Sequence, residues 1–172
     1  MSSCWTIASR HLMVSCLVFG AAEAAADAGT VAPGLEACLA AALKERPGFV
    51  HAWKEVSGGS QSQYAVSIVN GEGKIADATC STSKPENFKF EERIGIRRVE
   101  SYSRIKVPEL SARGTAPQLF AGPVKVVRME IDFDWRGRPA YEYRLVLPTG
   151  REAVAQVDTV SGMLLHAEIL PE

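Results

Sequence analysis

The chain has 172 residues and a formal net charge of −1, from 19 lysines and arginines against 20 aspartates and glutamates. Nothing in that balance calls for nucleic acid or an anionic membrane surface as a partner. With three histidines and four cysteines, the groups from which an enzyme would draw a reactive centre are few.

Arg10 and His11 precede an apolar run over 12–19, which passes into a small-residue stretch over 20–28. A basic start, a short apolar core and an alanine-rich exit describe a secretory signal peptide over residues 1–28, with Ala-Glu-Ala at 22–24 and Ala-Asp-Ala at 26–28 as rival cleavage sites. The alternatives are a buried N-terminal helix or, through Cys16, a lipid anchor, although Met13-Val14-Ser15-Cys16 matches a lipoprotein signal poorly. The run is well short of the roughly 20 residues a membrane-crossing helix needs. No stable membrane insertion is therefore expected, and the mature protein is expected in the periplasm or secreted. Cleavage would leave Cys38 and Cys80 as the remaining cysteines, and an oxidising compartment permits one disulfide between them. A buried free pair is the alternative; a metal site lacks a local histidine or carboxylate cluster to complete it.

Residues 29–82 form a first unit. Pro33 suits the first turn of a helix, and Leu35, Cys38, Leu39, Ala42 and Leu43 recur at helical spacing until Pro47-Gly48 stops it. Strands follow over 49–56, around Tyr64, Val66 and Ile68, and from 74 or 75 to about 81. Gly58-Gly59-Ser60 and Asn70-Gly71-Glu72-Gly73 supply the turns. Residues 83–107 read as a linker or an extra strand. Ser83-Lys84-Pro85-Glu86-Asn87 is a loop, and Ile94, Ile96, Val99, Tyr102, Ile105 and Val107 mix helix and strand spacings, with extended structure favoured toward the end. Arg93, Arg97, Arg98, Arg104 and Lys106 gather positive charge there, but with Glu91, Glu92 and Glu100 interleaved they describe a solvated connecting face, with an anionic or protein docking surface as the alternative.

The second unit covers 108–172. Pro108 opens a helix reaching about Phe120 through Leu110, Ala116 and Leu119, which Gly114 and Pro117 could reduce to broken turns. Val124, Val126, Met129, Ile131 and Phe133 mark a strand; Tyr141, Tyr143, Leu145 and Leu147 mark the next, and a third runs over 153–158. Trp135-Arg136-Gly137-Arg138-Pro139 and Pro148-Thr149-Gly150 are turns, and Ser161-Gly162 turns the chain again before 163–170. A helix followed by three antiparallel strands, seen twice, gives an α+β class in which each helix packs on a sheet face. Each unit alone is poor in core, so one composite core or two apposed lobes are expected.

The second unit, over 107–170, resembles a PepSY domain. The features that carry this are the helix before Ala121-Gly122, the hairpin ending in Tyr141-Glu142-Tyr143-Arg144-Leu145, the turn at Thr149-Gly150, and Val157-Asp158-Thr159-Val160-Ser161-Gly162-Met163-Leu164. The first unit resembles it through Leu39-Ala40-Ala41-Ala42-Leu43, Pro47-Gly48, Tyr64-Ala65-Val66 and Asn70-Gly71, but has Ala78-Thr79-Cys80-Ser81 where the aspartate-to-glycine ending would stand. The resemblance implies tandem PepSY-like units in an exported or cell-envelope protein that inhibits a peptidase, binds peptides or modulates a membrane-bound partner. It brings no catalytic set and no cofactor. Asp158 and Gly162 are assigned to turn geometry.

Recognition is better supported by the residues than catalysis. Glu130, Asp132 and Asp134 stand at period two on one side of a strand, either as a solvated face or as an acidic rim for a cationic peptide; one strand rarely supplies enough converging oxygens for calcium. Trp135, flanked by Arg136 and Arg138, is the best candidate for an exposed contact. Trp53 is a further aromatic candidate, while Tyr141 and Tyr143 are expected in the core. His51 and His166 read as ordinary sheet histidines, and no nucleophile elbow, zinc motif or phosphate loop occurs. The expected function is a non-catalytic binding or modulating module that docks on an envelope protein or takes an extended peptide at a sheet edge, with peptidase inhibition as one version. The alternatives are a structural envelope component and a small hydrolase using the acidic strand or an unpaired Cys38. No catalytic residue, metal or cofactor is assigned.

Overall fold

The computed structural model describes residues 34–57, 62–85, 89–96 and 99–171. The expected signal peptide over 1–28, Pro33, Arg97, Arg98 and the Gly58-Gly59-Ser60 turn lie outside the described residues. In chain order the elements are α1 (Leu35–Glu45), β1 (Phe49–Ser57), β2 (Gln63–Val69), β3 (Lys74–Ser81), β4 (Glu91–Ile96), α2 (Val99–Tyr102), α3 (Glu109–Thr115), a 3-10 turn (Ala116–Leu119), β5 (Lys125–Phe133), β6 (Pro139–Val146), β7 (Glu152–Asp158) and β8 (Leu164–Ile169).

The class is α+β, and all the strands join one antiparallel sheet in the order β4-β3-β2-β1-β5-β6-β7-β8. Each half therefore contributes four strands rather than three. The added strands lie outermost: β4 pairs with β3 and β8 with β7, covering backbone edges that would otherwise be left open. The halves follow one numbering shift, since β5 starts 125 − 49 = 76 residues after β1 and β6 starts 139 − 63 = 76 after β2. Both first strands carry a register shift at the matching place, between Val50 and Ala52 and between Val126 and Arg128. They meet at the centre of the sheet, where Ala52 stands opposite Glu130, Trp53 opposite Met129 and Lys54 opposite Arg128.

Alternation along the strands puts Trp53, Tyr64, Val66, Met129, Tyr143, Leu145, Ala155 and Val157 in the core, and α1 and α3 lie over that side. On α1, Leu35, Cys38 and Ala42 are buried. Cys38 is bonded to Cys80 of β3 with a Cα–Cα distance of 5.8 Å, closing a separation of 42 residues. By loop closure such a bond contributes about 4 kcal/mol, through the unfolded chain.

The second helix sits differently from the sequence expectation. Leu110 and Leu119, expected on its apolar face, are 62% and 67% exposed; Ala112, Arg113 and Ala116 are buried instead. The small alanines let the helix lie close over the sheet tyrosines, so that the Tyr141 hydroxyl donates to the Val107 carbonyl at 3.0 Å and Tyr143 to the Glu109 carbonyl at 3.1 Å. Pro117 has no N–H to continue the α-helical ladder, and the chain tightens into the 3-10 turn there.

Residues 91–107 reverse the expected order: the strand comes first and a helical turn follows. Long-range contacts override the mixed local spacing. Tyr102 is fully buried, packs against Phe49 and Phe133, and shares a 2.9 Å hydrogen bond with Nδ1 of His51.

Candidate functional site

The β5–β6 turn presents the most exposed large aromatic of the described residues. Trp135 is 85% accessible, and the Arg136 guanidinium lies 4.3 Å from its ring centroid. This pair is fixed from below by Asp134. Its Oδ1 accepts the backbone N–H groups of Arg136 and Arg138 at 2.9 and 2.8 Å, and its Oδ2 accepts Nε of Arg138 at 2.6 Å. Those bonds, the backbone one from Arg138 foremost, hold the Asp134 carboxyl below its usual pKa. Gly137 takes a positive φ of 70°, a conformation that suits glycine, and its N–H closes the turn onto the Asp134 carbonyl at 2.8 Å. Asp134 and Arg138 thus build the turn, and Trp135 with Arg136 forms its outward surface.

Of the other two acidic candidates, Asp132 shares a surface depression with Asp134, while Glu130 does not line it. Glu130 pairs with Arg128, and its other oxygen lies 3.9 Å from Nε2 of His51. Asp132 accepts the N–H of Phe133 at 2.8 Å. Asp132, Asp134, Arg138, Gln156, Asp158 and Leu165 border a surface depression of about 210 Å³. Asp158 is committed to its own turn, accepting both the N–H and hydroxyl of Ser161 and the N–H of Val160. Partial desolvation opposes its ionisation, but these bonds together outweigh it and its pKa is lowered. Gly162 (φ 72°) completes that turn by donating to the Asp158 carbonyl. No group of three or more metal-ligating side chains is assembled among the described residues.

A second polar cluster lies between the helices and the sheet, and sequence reasoning missed it. Trp53, a recognition candidate, is 1% exposed and donates its Nε1–H to Glu109 at 3.3 Å. Arg113, 3% exposed, lies over the Trp53 ring and pairs with Glu36 of α1 at 3.0 Å and Glu109 at 3.4 Å. Burial raises the Glu109 pKa, against the opposing pull of Arg113 and of the Trp53 N–H. Burial likewise pushes the Tyr141 hydroxyl up to about 12, with the charge of Glu109 adding to it. The signal available in the sequence was Glu109 and Arg113 at i,i+4, a spacing that ordinarily marks a wet ion pair.

His51 is 2% exposed and engaged by Tyr102, whereas His166 lies on the outer strand 3.6 Å from Glu168. With Cys38 and Cys80 joined, neither offers a free thiol to pair with His51. No described helix is long and apolar enough to cross a membrane.

No family model and no curated protein matches the chain. Three solved structures share part of its layout. A candidate lipoprotein of Clostridium difficile 630 aligns at 16% identity and a TM-score of 0.46, over 70% of this chain and 82% of its own. YpmB of Bacillus subtilis aligns at 20% identity and 0.31, over 81% and 99%. The C-terminal domain of Bacillus megaterium YpeB aligns at 12% identity and 0.29, over 85% and 69%. All three scores lie below 0.5, and the functional reading rests on this chain's own geometry.

Proposed function

We propose that the chain is an exported, non-catalytic binding or modulating module of the cell envelope, built of PepSY-like units, that docks on an envelope protein or an extended peptide through the β5–β6 turn. Peptidase inhibition is one form this takes. The observation that carries the reading is the 85% exposed Trp135 stacked with Arg136 on a turn fixed by Asp134. A large aromatic held in place on the surface loses little freedom on binding, and tryptophan and arginine are common anchors of interfaces. The Cys38–Cys80 bond fits an oxidising compartment.

Crosslinking of the oxidised protein in its native envelope, with Trp135→Ala as the control, tests this. A dominant partner lost in the Trp135→Ala sample, while circular dichroism and thermal midpoint are unchanged, is the expected result. A partner retained by Trp135→Ala would remove the turn from the proposal, and crosslinks only between copies of the chain would favour the structural envelope component.

A further inference from the structure

β8 is an outer strand of the sheet, with β7 on one side and no strand on the other. Leu170 donates to the Glu152 carbonyl of β7 at 2.9 Å. By alternation the backbone groups of Glu168 and His166 also turn toward β7, and those of Ala167 and Ile169 turn outward. No described residue takes these outward groups. The other outer strand, β4, opens with Glu91-Glu92-Arg93, charges of the kind that keep an edge from pairing. β8 has no such run, and apolar side chains stand beside it. Ile169, opposite the buried Ala153, is 45% exposed, and the 3-10 turn lying against β7 and β8 leaves Leu119 exposed.

We propose that β8 pairs antiparallel with β8 of a second copy of this chain, centred on Ala167, joining two sheets into one of 8 + 8 = 16 strands. Residues whose backbone groups turn outward form the hydrogen-bonded pairs of such a contact. Centring on Ala167 sets it opposite the other Ala167, with two N–H to carbonyl bonds between them, and sets His166 of each copy opposite Glu168 of the other. Within one chain these two side chains lie 3.6 Å apart, each more than half exposed, so pairing gives every carboxylate a second imidazole. Moving the centre is unfavourable in either direction. On Glu168 it opposes two carboxylates, and on His166 two imidazoles; on Ile169 it brings Pro171, which has no N–H, opposite Ala167. The register shift opposite Gln156 and Val157, with Pro171 at the other end, keeps the paired stretch short, and the affinity is accordingly micromolar. On the helix side, Ile169 and Leu119 approach the contact from both copies and lose water there. Once both β8 edges are used, the charged β4 edges remain, and association stops at two copies. The contact does not involve Trp135, and the proposal stands whether or not that turn docks a partner.

The test is sedimentation velocity of the oxidised protein over a concentration series spanning the micromolar range, with circular dichroism and thermal midpoint to confirm that each variant folds. A reversible monomer–dimer equilibrium is expected. Glu168→Lys and His166→Glu should each raise the dimer Kd about tenfold, because two opposed pairs change sign at once. Combining them as His166→Glu with Glu168→Lys restores opposite charges across the contact and should return the Kd to within about threefold of the native value. Ala167→Pro should abolish the dimer, since it removes the central N–H from an edge position where the monomer tolerates proline. If Ala167→Pro fails to fold, the charge exchange decides the matter. Trp135→Ala should leave the equilibrium unchanged. A protein monomeric throughout the series would overturn the proposal and leave the edge to an extended peptide. A dimer indifferent to the single charge changes, one not restored by the exchange, or one lost in Trp135→Ala would each overturn it as well.

Discussion

In the N-terminal half α1 is tied to its strands by the Cys38–Cys80 bond and by the apolar contacts of Leu35 and Ala42. In the C-terminal half α3 has no cysteine and is held by the Tyr141 and Tyr143 hydroxyls and by Arg113, which binds Glu109 and reaches across to Glu36 on α1. The backbone plan is the same, but the two fastenings answer to different conditions. A covalent bond acts largely through the unfolded chain, in the loop-closure account, and responds to reductant. A buried polar cluster acts in the folded state and responds to pH and to the loss of any one member. The halves are therefore separable by experiment even though they share one sheet.

The largest effect is expected from replacing both Cys38 and Cys80 by alanine. Urea unfolding should show a loss of about 4 kcal/mol, and hydrogen exchange should place the loosening first in α1 and β3. An unchanged midpoint would mean that apolar packing alone holds α1. Next comes Arg113→Met, which keeps the stem over Trp53 but strands Glu109; a loss of about 3 kcal/mol is expected, and adding Glu109→Gln should return part of it. Failure of the second change to help would show that Arg113 acts by packing and not by charge.

Tyr143→Phe removes one hydroxyl from the Glu109 carbonyl and should cost about 1 kcal/mol by the same unfolding measurement. The smallest signal is in pH. Because the Glu109 carboxyl is raised above 4.5 in the folded protein, the folded state holds this proton more readily than the unfolded chain. Stability from that preference is present below the ordinary carboxyl value and lost as pH rises through the raised one. Stability profiles of the native protein and Glu109→Gln should accordingly diverge across the mildly acidic range, with the native protein falling as pH rises. Parallel profiles would place the titration elsewhere and remove the pH difference between the halves.

The local patterns gave much of this away. Helical spacing around Cys38 and period-two runs at Tyr64, Val66 and Ile68 and at Tyr141, Tyr143 and Leu145 mark elements whose burial follows the alternation. What they did not give was anything decided over long separations. The seam between Trp53 and Met129 joins positions 129 − 53 = 76 residues apart, and neither strand alone says which neighbour it will take. Tyr102 sits in a segment of ambiguous period because its conformation is set by Phe49, His51 and Phe133. For α3 the leucines were misleading: the surface opposite is two tyrosine hydroxyls, and alanine with a paired Arg113 fits there better than Leu110 or Leu119. At the candidate site, a tryptophan between turn-forming residues was legible as an exposed tip, while the Arg113 cluster was hidden because it exists only across α1, α3 and the sheet.

The seam also has a meaning for symmetry. Two equal strands that run antiparallel and cross at their middle residues are related by a two-fold axis through the sheet, the arrangement of an isologous dimer interface written into a single chain. In a dimer of identical subunits each residue on that axis would have to face its own copy. One continuous polypeptide is free of that requirement, so Trp53 faces Met129, one helix keeps a cysteine where the other keeps an arginine, and the two sides of the molecule can specialise without parting.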